Sequence, residues 1–128
     1  MTESVLLVED SRAVRDFVTS ILEQHGAYEV VEVENGFDAL RALPRGDYAV
    51  VVTDVNMPDV SGIELTRFIR QSPKHAKVPI LVISTDAMHP DVDRAMKAGA
   101  TAFLAKPFTA DEFLATLAKI RTTPQDDA

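Results

Sequence analysis

The sequence predicts a doubly wound α/β protein, in which five parallel strands form one sheet with helices on both faces. Short, nearly continuous runs of β-branched and aliphatic residues alternate along the chain with segments whose apolar residues recur at helical spacing. Apolar runs without polar alternation are typical of strands covered on both faces, as in parallel sheets. Because a helical segment follows each strand, we expect right-handed crossovers between parallel strands.

Five segments have the composition of buried strands. The third, AVVVT, is the clearest, because four of its five residues are aliphatic and none is charged. The predicted strands are residues 4–8, 28–33, 49–53, 79–83 and 101–105.

Residues suited to helix ends bracket each helical segment. The third and fifth helices open with a serine or threonine followed three residues later by glutamate, the capping-box pattern, and the second opens with an asparagine cap. A proline suits the first turn of the fourth helix, and glycines end the first and the fourth. In chain order these residues are Gly26, Asn35, Ser61, Pro90, Gly99 and Thr109.

Length and composition fit one domain. The chain has 128 residues, 46% of them hydrophobic, and we expect a domain at residues 1–121 and a flexible tail at 122–128. A net charge of −7 argues against direct nucleic-acid binding. Because the chain lacks cysteines, a membrane-length apolar run and a signal-peptide pattern, we expect a cytoplasmic protein. His25, His75 and His89 are not spaced for metal binding, and we interpret them as surface residues.

Chemically active side chains follow four of the five predicted strands. Carboxyl ends of parallel strands meet at one edge of a sheet, where α/β proteins place their binding sites. Three close carboxylates repel unless they bind protons or a cation, and Mg²⁺ suits oxygen ligands shared with a phosphate. With a lysine and a hydroxyl beside them, the set predicts phosphoryl transfer to a carboxylate. These residues are Glu9, Asp10, Asp54, Ser84, Thr85 and Lys106.

Four motifs identify the family that the chain resembles. In order and at family-like spacing, they resemble the signatures of response-regulator receiver domains and span nearly the whole chain. Each motif is weak evidence alone, but the four together are specific. The resemblance implies a CheY-like, single-domain response regulator of two-component signal transduction, with the flavodoxin-like strand order 2-1-3-4-5. The motifs are VEDS at residues 8–11, DVNMPDVSG at 54–62, VIST at 82–85 and KPF at 106–108.

The resemblance also implies a role for each matched residue of the pocket. Asp54 would accept a phosphoryl group from the phosphohistidine of a histidine kinase. Asp10 and Asp54 would ligate Mg²⁺, for which Mn²⁺ can substitute, together with the backbone carbonyl of Asn56. Glu9 would reach the metal through a water molecule, and Lys106 would contact the phosphoryl group.

Further matched positions concern switching and the lifetime of the phosphorylated state. Ser84 would be the switch hydroxyl and Phe103 the aromatic switch residue. They would couple the pocket to the surface of the fourth helix, fifth strand and fifth helix, the usual output face of the family. The resemblance implies a cis peptide bond between Lys106 and Pro107. The positions expected to set the acyl-phosphate lifetime are Asn56, Met57, Thr85 and Asp86.

Three positions depart from the best-known family pattern, and one of them is Thr85, which is larger than the small residue often found there. Glu9 stands where that pattern has aspartate, and Phe103 where it has tyrosine, so an output contact cannot use a phenolic hydroxyl here. The expected partners are a sensor histidine kinase or phosphotransfer protein and an output protein of unknown identity, in a pathway such as chemotaxis or motility. We expect no separate enzymatic activity, no direct nucleic-acid binding and no membrane insertion.

Three other functions stay open at this point. A haloacid-dehalogenase-class phosphatase also uses a strand-end aspartate with Mg²⁺, but its signature has a second aspartate where this chain has Asn56. A flavodoxin-like cofactor protein needs a hydroxyl- and glycine-rich phosphate loop, whereas this chain has Glu9 and Asp10 there. A degenerate receiver would bind partners without taking phosphate, and the intact acidic pocket argues against it.

Overall fold

Strands and helices alternate along the chain as the sequence predicts. The structure, a computed structural model, describes residues 2–85 and 89–122. Within those residues the strands are β1 (Glu3–Val8), β2 (Tyr28–Val33), β3 (Tyr48–Asp54), β4 (Ile80–Ser84) and β5 (Ala102–Ala105). The helices are α1 (Arg12–His25), α2 (Gly36–Ala42), α3 (Gly62–Gln71), α4 (His89–Ala98) and α5 (Ala110–Thr122). A 3₁₀ turn at Leu43–Arg45 follows α2.

The strands form one parallel sheet in the order β2-β1-β3-β4-β5, which confirms the predicted fold class. The register places Val8 beside Thr53, Asp54 beside Ile83, and Ser84 beside Ala105. The carboxyl ends of β1, β3, β4 and β5 therefore lie at the same edge. The strand order reverses between β1 and β3, and this reversal opens a crevice at that edge.

Two apolar cores cover the two faces of the sheet, which explains why the strand sequences lack polar alternation. One core packs α2, α3 and α4 against side chains such as Leu6 and Val51. The other packs α1 and α5 against alternate side chains such as Val5 and Val50. Burying each aliphatic side chain of this kind contributes about 1.5–3 kcal/mol. Five such strands anchor the edge that carries the polar residues.

Strand boundaries differ from the predicted ones by one residue at several ends. β4 begins at Ile80, because Pro79 has no N–H, although its carbonyl accepts a hydrogen bond from the Val51 N–H at 2.9 Å. β4 extends to Ser84, whose carbonyl accepts from the Lys106 N–H at 2.8 Å. Asp54 is the last residue of β3 rather than the residue after it.

Side-chain caps fix the helix starts that the sequence marks. The Asn35 side chain accepts from the Asp38 N–H at 2.8 Å, and the Ser61 hydroxyl accepts from the Glu64 N–H at 3.1 Å. The capping box at Thr109 has both of its hydrogen bonds to Glu112, at 2.9 and 3.1 Å. Such caps contribute about 1 kcal/mol each. Gly26 ends α1 in the left-handed region with φ of 86°, a conformation suited to glycine.

The prediction that His75 lies on the surface is wrong. This side chain is 4% exposed, and its Nε2 lies 3.1 Å from the carbonyl oxygen of Gly46. Its ring packs beside that of Tyr48, with centroids 5.8 Å apart. The segment between α3 and β4 folds under the start of β3, a contact that spacing along the chain does not reveal. His25 is exposed as predicted, and the side chain of His89 lies outside the described residues.

The last helix continues to Thr122, the residue at which a flexible tail was predicted to begin. Residues 123–128 lie outside the described part of the chain. None of the helices described has the combination of length and apolar content that crossing a membrane requires.

Gly62, the first residue of α3, brings this helix against the end of β3. Its N–H donates to the carbonyl of Val55 at 2.9 Å, and a Cβ at this position would overlap the carbonyl oxygen of Asp54. The obstacle is backbone, which cannot swing aside as a side chain can.

We therefore expect Gly62→Ala to lower the free energy of unfolding by about 1–3 kcal/mol or more, the usual cost of overpacking. Gly46→Ala is a matched control, because the nearest obstacle to its Cβ is the ring of Tyr48 at 3.0 Å. Urea denaturation of both variants measures the difference. Equal stability of Gly62→Ala and wild type would contradict the close approach.

Candidate functional site

Three acidic side chains meet at the crevice between β1 and β3. Glu9 and Asp10 follow β1, Asp54 ends β3, and one carboxylate oxygen from each lies within 4.8 Å of the other two. Glu9 is fully buried and Asp54 is 5% exposed, whereas Asp10 is exposed. The cluster is therefore open to solvent and ligands on the side of Asp10.

Lys106 extends from the end of β5 into the same pocket. Its Nζ lies 2.6 Å from Oε1 of Glu9 and 3.4 Å from Oδ1 of Asp54. The Lys106–Pro107 peptide bond is cis. Lys106 thus contacts two of the three carboxylates, and its shorter contact is with Glu9 rather than with Asp54.

Burial sets the electrostatics of the two inner carboxyl groups. It raises the pKa of Glu9, although hydrogen bonds from Lys106 and from the Ser11 N–H act in the opposite direction. It also raises the pKa of Asp54, against the charge of Lys106 and a hydrogen bond from the Asn56 N–H. Both carboxylates are held with less solvation than they have in water, so a further cation would stabilise their ionised forms.

The donor set fits a hard divalent cation. Three carboxylates supply oxygen ligands, and one side of the cluster is open for water and a phosphoryl group, as Mg²⁺ and Mn²⁺ sites require. Both oxygens of Glu9 already accept hydrogen bonds, one from Lys106 at 2.6 Å and one from the Ser11 N–H at 3.0 Å. Asp10 and Asp54 are therefore the carboxylates best placed for direct coordination.

The predicted switch residues lie on the neighbouring strands. Ser84 is buried at the end of β4, and Thr85 follows it in an exposed position. Phe103 pairs with Val82 across β4 and β5 and packs, partly buried, against the core beneath α3 and α4. Hence Ser84 borders the pocket. Phe103 lies earlier in β5 than Lys106, so it is farther from the pocket edge and packs towards α3 and α4.

The remaining predicted positions surround Asp54. Asn56 is exposed in the loop after β3, and Met57 is partly buried against the core that contains α3. Asp86, expected to affect the acyl-phosphate lifetime, lies outside the described residues.

Sequence reasoning missed Asp59, which anchors the loop that carries Asn56. One oxygen of its carboxylate accepts from the N–H groups of Gly36 at 3.1 Å and Val60 at 2.7 Å, and the other accepts from the N–H of Phe37 at 2.9 Å. These hydrogen bonds lower the pKa of Asp59. An aspartate after proline suggests a turn, but nothing local points to a helix start 23 residues away.

Residues 5–118 match the family model described as the response regulator receiver domain. The chemotaxis protein CheY-3 of Vibrio cholerae serotype O1 is 35% identical over 116 residues, covering 91% of this chain and 89% of that protein.

Two solved structures extend the comparison. The chemotaxis response regulator CheY4 of Vibrio cholerae has a TM-score of 0.87 and 32% identity, covering 94% of this chain and 99% of that one. The receiver domain of sensor histidine kinase PA1611 from Pseudomonas aeruginosa PAO1 was solved with a magnesium ion coordinated in its active site cleft. It has a TM-score of 0.87 and 29% identity, covering 96% of this chain and 100% of that one.

Asp54→Asn should stabilise the protein in metal-free buffer at neutral pH, because it removes a charge from a buried cluster. Burial holds the folded-state pKa of Asp54 above its ordinary value of 3.8, so the ionised carboxylate costs stability at higher pH. This cost disappears as the pH falls below 3.8, where the wild-type group is protonated in both states. Urea midpoints of wild type and Asp54→Asn from pH 7 to pH 3 measure the difference in stability. A variant less stable than wild type at pH 7 would contradict a destabilising charge on Asp54.

Asp59→Asn should destabilise the protein at neutral pH, the opposite of the effect expected for Asp54→Asn. The folded-state pKa of Asp59 lies below 3.8, so its carboxylate stabilises the fold at neutral pH, and this contribution is lost as the pH falls below that value. At pH 7 we expect a lower urea midpoint for Asp59→Asn than for wild type. The difference between the two midpoints should disappear in acid. Asp47→Asn is the matched control, since this side chain is 93% exposed. An equal pH profile for wild type and Asp59→Asn would exclude the anchoring role.

Proposed function

Because this chain belongs to the response regulator receiver domain family of two-component systems, we propose that Asp54 is its phosphoacceptor. The observation that carries the proposal is the placement of Asp54 at the end of β3, within one cluster with Glu9 and Asp10 and 3.4 Å from Lys106. A carboxylate in such surroundings can act as a nucleophile towards phosphorus.

The transfer requires one bond to form and one to break. An oxygen of Asp54 bonds to the phosphorus of a partner's phosphohistidine while the P–N bond breaks, and its electron pair remains on the imidazole. The product is an acyl phosphate, which water later hydrolyses back to the aspartate. This is self-phosphorylation and self-dephosphorylation chemistry on one side chain, and it needs no separate enzymatic activity.

We assign the metal site to the same cluster. Asp10 and Asp54 would hold Mg²⁺ by their side chains and Asn56 by its backbone carbonyl, with Glu9 reaching it through water. When bound, Mg²⁺, or Mn²⁺ in its place, neutralises negative charge that develops on the phosphoryl oxygens. The chain's own contribution is to hold these oxygen ligands together before a ligand arrives.

Lys106 and Ser84 complete the proposed phosphoryl site. In the unphosphorylated protein the ammonium of Lys106 donates to Glu9. A phosphoryl group on Asp54 would offer this ammonium an acceptor of higher charge. Ser84 lies at the end of the strand beside β5, so its hydroxyl can donate to another phosphoryl oxygen. Both residues thereby link the state of Asp54 to β4 and β5.

We propose that this link changes the surface formed by α4, β5 and α5, with Phe103 as the aromatic residue that responds. Thr85, Asn56 and Met57 border the site and would set the lifetime of the acyl phosphate, together with Asp86. The phosphoryl donor would be a sensor histidine kinase or a phosphotransfer protein. Two of the three named relatives are chemotaxis proteins, which favours a chemotaxis or motility pathway and a protein partner at the output surface.

The assignment of Asp54 is tested by phosphorylation in the absence of any partner. Wild type, Asp54→Asn and Asp47→Asn are incubated with a small acyl-phosphate donor, with Mg²⁺ or with a chelator, and the intact proteins are weighed. We expect one added phosphoryl group on wild type and Asp47→Asn with Mg²⁺ only, and none on Asp54→Asn. Equal labelling of wild type and Asp54→Asn would refute the proposal.

A further inference from the structure

Arg15, in the first turns of α1, contacts the backbone that carries the acidic pair. Its Nη1 donates to the carbonyl oxygens of both Glu9, at 2.8 Å, and Asp10, at 3.2 Å. The side chain is 10% exposed. One guanidinium nitrogen therefore holds two consecutive peptide groups at the edge of the pocket.

The charge of Arg15 is balanced on its other side. Nε lies 3.5 Å from a carboxylate oxygen of Glu32, and Nη2 lies 3.5 Å from one of Glu34. Glu32 is itself held by the hydroxyl of Thr19, which donates to its other carboxylate oxygen at 2.7 Å. The guanidinium is thus oriented by α1 and the end of β2, and its fork geometry suits two acceptors at once.

We propose that Arg15 is a positioning residue for the metal site, fixing the backbone of Glu9 and Asp10 so that their carboxylates face Asp54. The inference rests on the function proposed above. The position of a residue's Cα determines where its carboxylate can lie. Asp10 is exposed, so few packing contacts besides the hydrogen bond from Arg15 can hold its backbone in place. Groups that orient metal ligands change affinity without touching the ion.

If Arg15 acted only through its positive charge, removing it would change the Mg²⁺ affinity in the opposite direction. Removing a cation close to an acidic cluster strengthens the binding of another cation, because a repulsion is lost. If Arg15 instead positions the backbone of Glu9 and Asp10, removing it weakens Mg²⁺ binding. The direction of the change in Mg²⁺ affinity therefore separates the two roles.

Arg70 provides a matched control elsewhere in the molecule. Its Nε donates to the carbonyl of Gly99 at 2.8 Å, and its Nη1 donates to the carbonyls of Val78 at 2.6 Å and Ala76 at 3.2 Å. These carbonyls lie before β4 and β5, at the edge of the sheet opposite the pocket. Arg70 is thus a carbonyl clamp of similar design with no place near the metal ligands.

The test is the Mg²⁺ dissociation constant of wild type, Arg15→Gln, Arg15→Lys and Arg70→Gln, measured by following backbone amide signals of isotope-labelled protein during titration. Circular dichroism first establishes a temperature at which each protein is folded. We expect Arg15→Gln to bind on the order of 10-fold more weakly, Arg15→Lys to be intermediate, and Arg70→Gln to match wild type.

Wild-type affinity, or tighter binding, in Arg15→Gln would overturn the inference, and so would equal weakening in Arg70→Gln. If Arg15→Gln does not fold, Arg15→Lys decides, because an ammonium lacks the planar fork; wild-type affinity in that variant overturns the inference. Failure of the proposed function looks different. In that case wild type itself binds no Mg²⁺, or Asp54→Asn is phosphorylated as readily as wild type.

Discussion

The constraint on which the site depends is the burial of two carboxylates beside a single lysine. Glu9 and Asp54 are almost fully removed from water, and Lys106 reaches both but lies closer to Glu9. An ionised cluster of this kind is costly unless a cation and hydrogen bonds compensate it. The molecule therefore holds a pocket that is short of positive charge, which suits a divalent ion.

The rest of the fold keeps this arrangement in place. The apolar strands bury both of their faces, so their carboxyl ends are fixed relative to one another within a packed core. The loop after β3 is then tied down twice, by the carboxylate of Asp59 at the start of α2 and by the close approach of Gly62 to the backbone of Asp54. Stability from the cores thereby offsets the repulsion concentrated at the sheet edge.

The same arrangement places the pocket at the ends of the strands that lie next to α4 and α5. Lys106 follows β5 and Ser84 ends β4, so the two strands next to α4 and α5 both end at the pocket that holds Asp54. The relatives with this fold include chemotaxis response regulators and the receiver domain of a sensor histidine kinase. The same fold therefore occurs in proteins of different kinds, so the fold alone does not determine the output of any one of them.

The sequence by itself determined the order and type of the elements, the helix caps and which strand ends carry Asp10, Asp54 and Lys106, because these follow from periodicity and local hydrogen bonding. Family resemblance added the strand order. Only the tertiary structure decided that Lys106 pairs most closely with Glu9, 97 residues away, and that Asp59 anchors α2. It also decided that His75 is buried. These contacts join segments distant along the chain, and the packing of whole elements brings them together, so no local pattern encodes them.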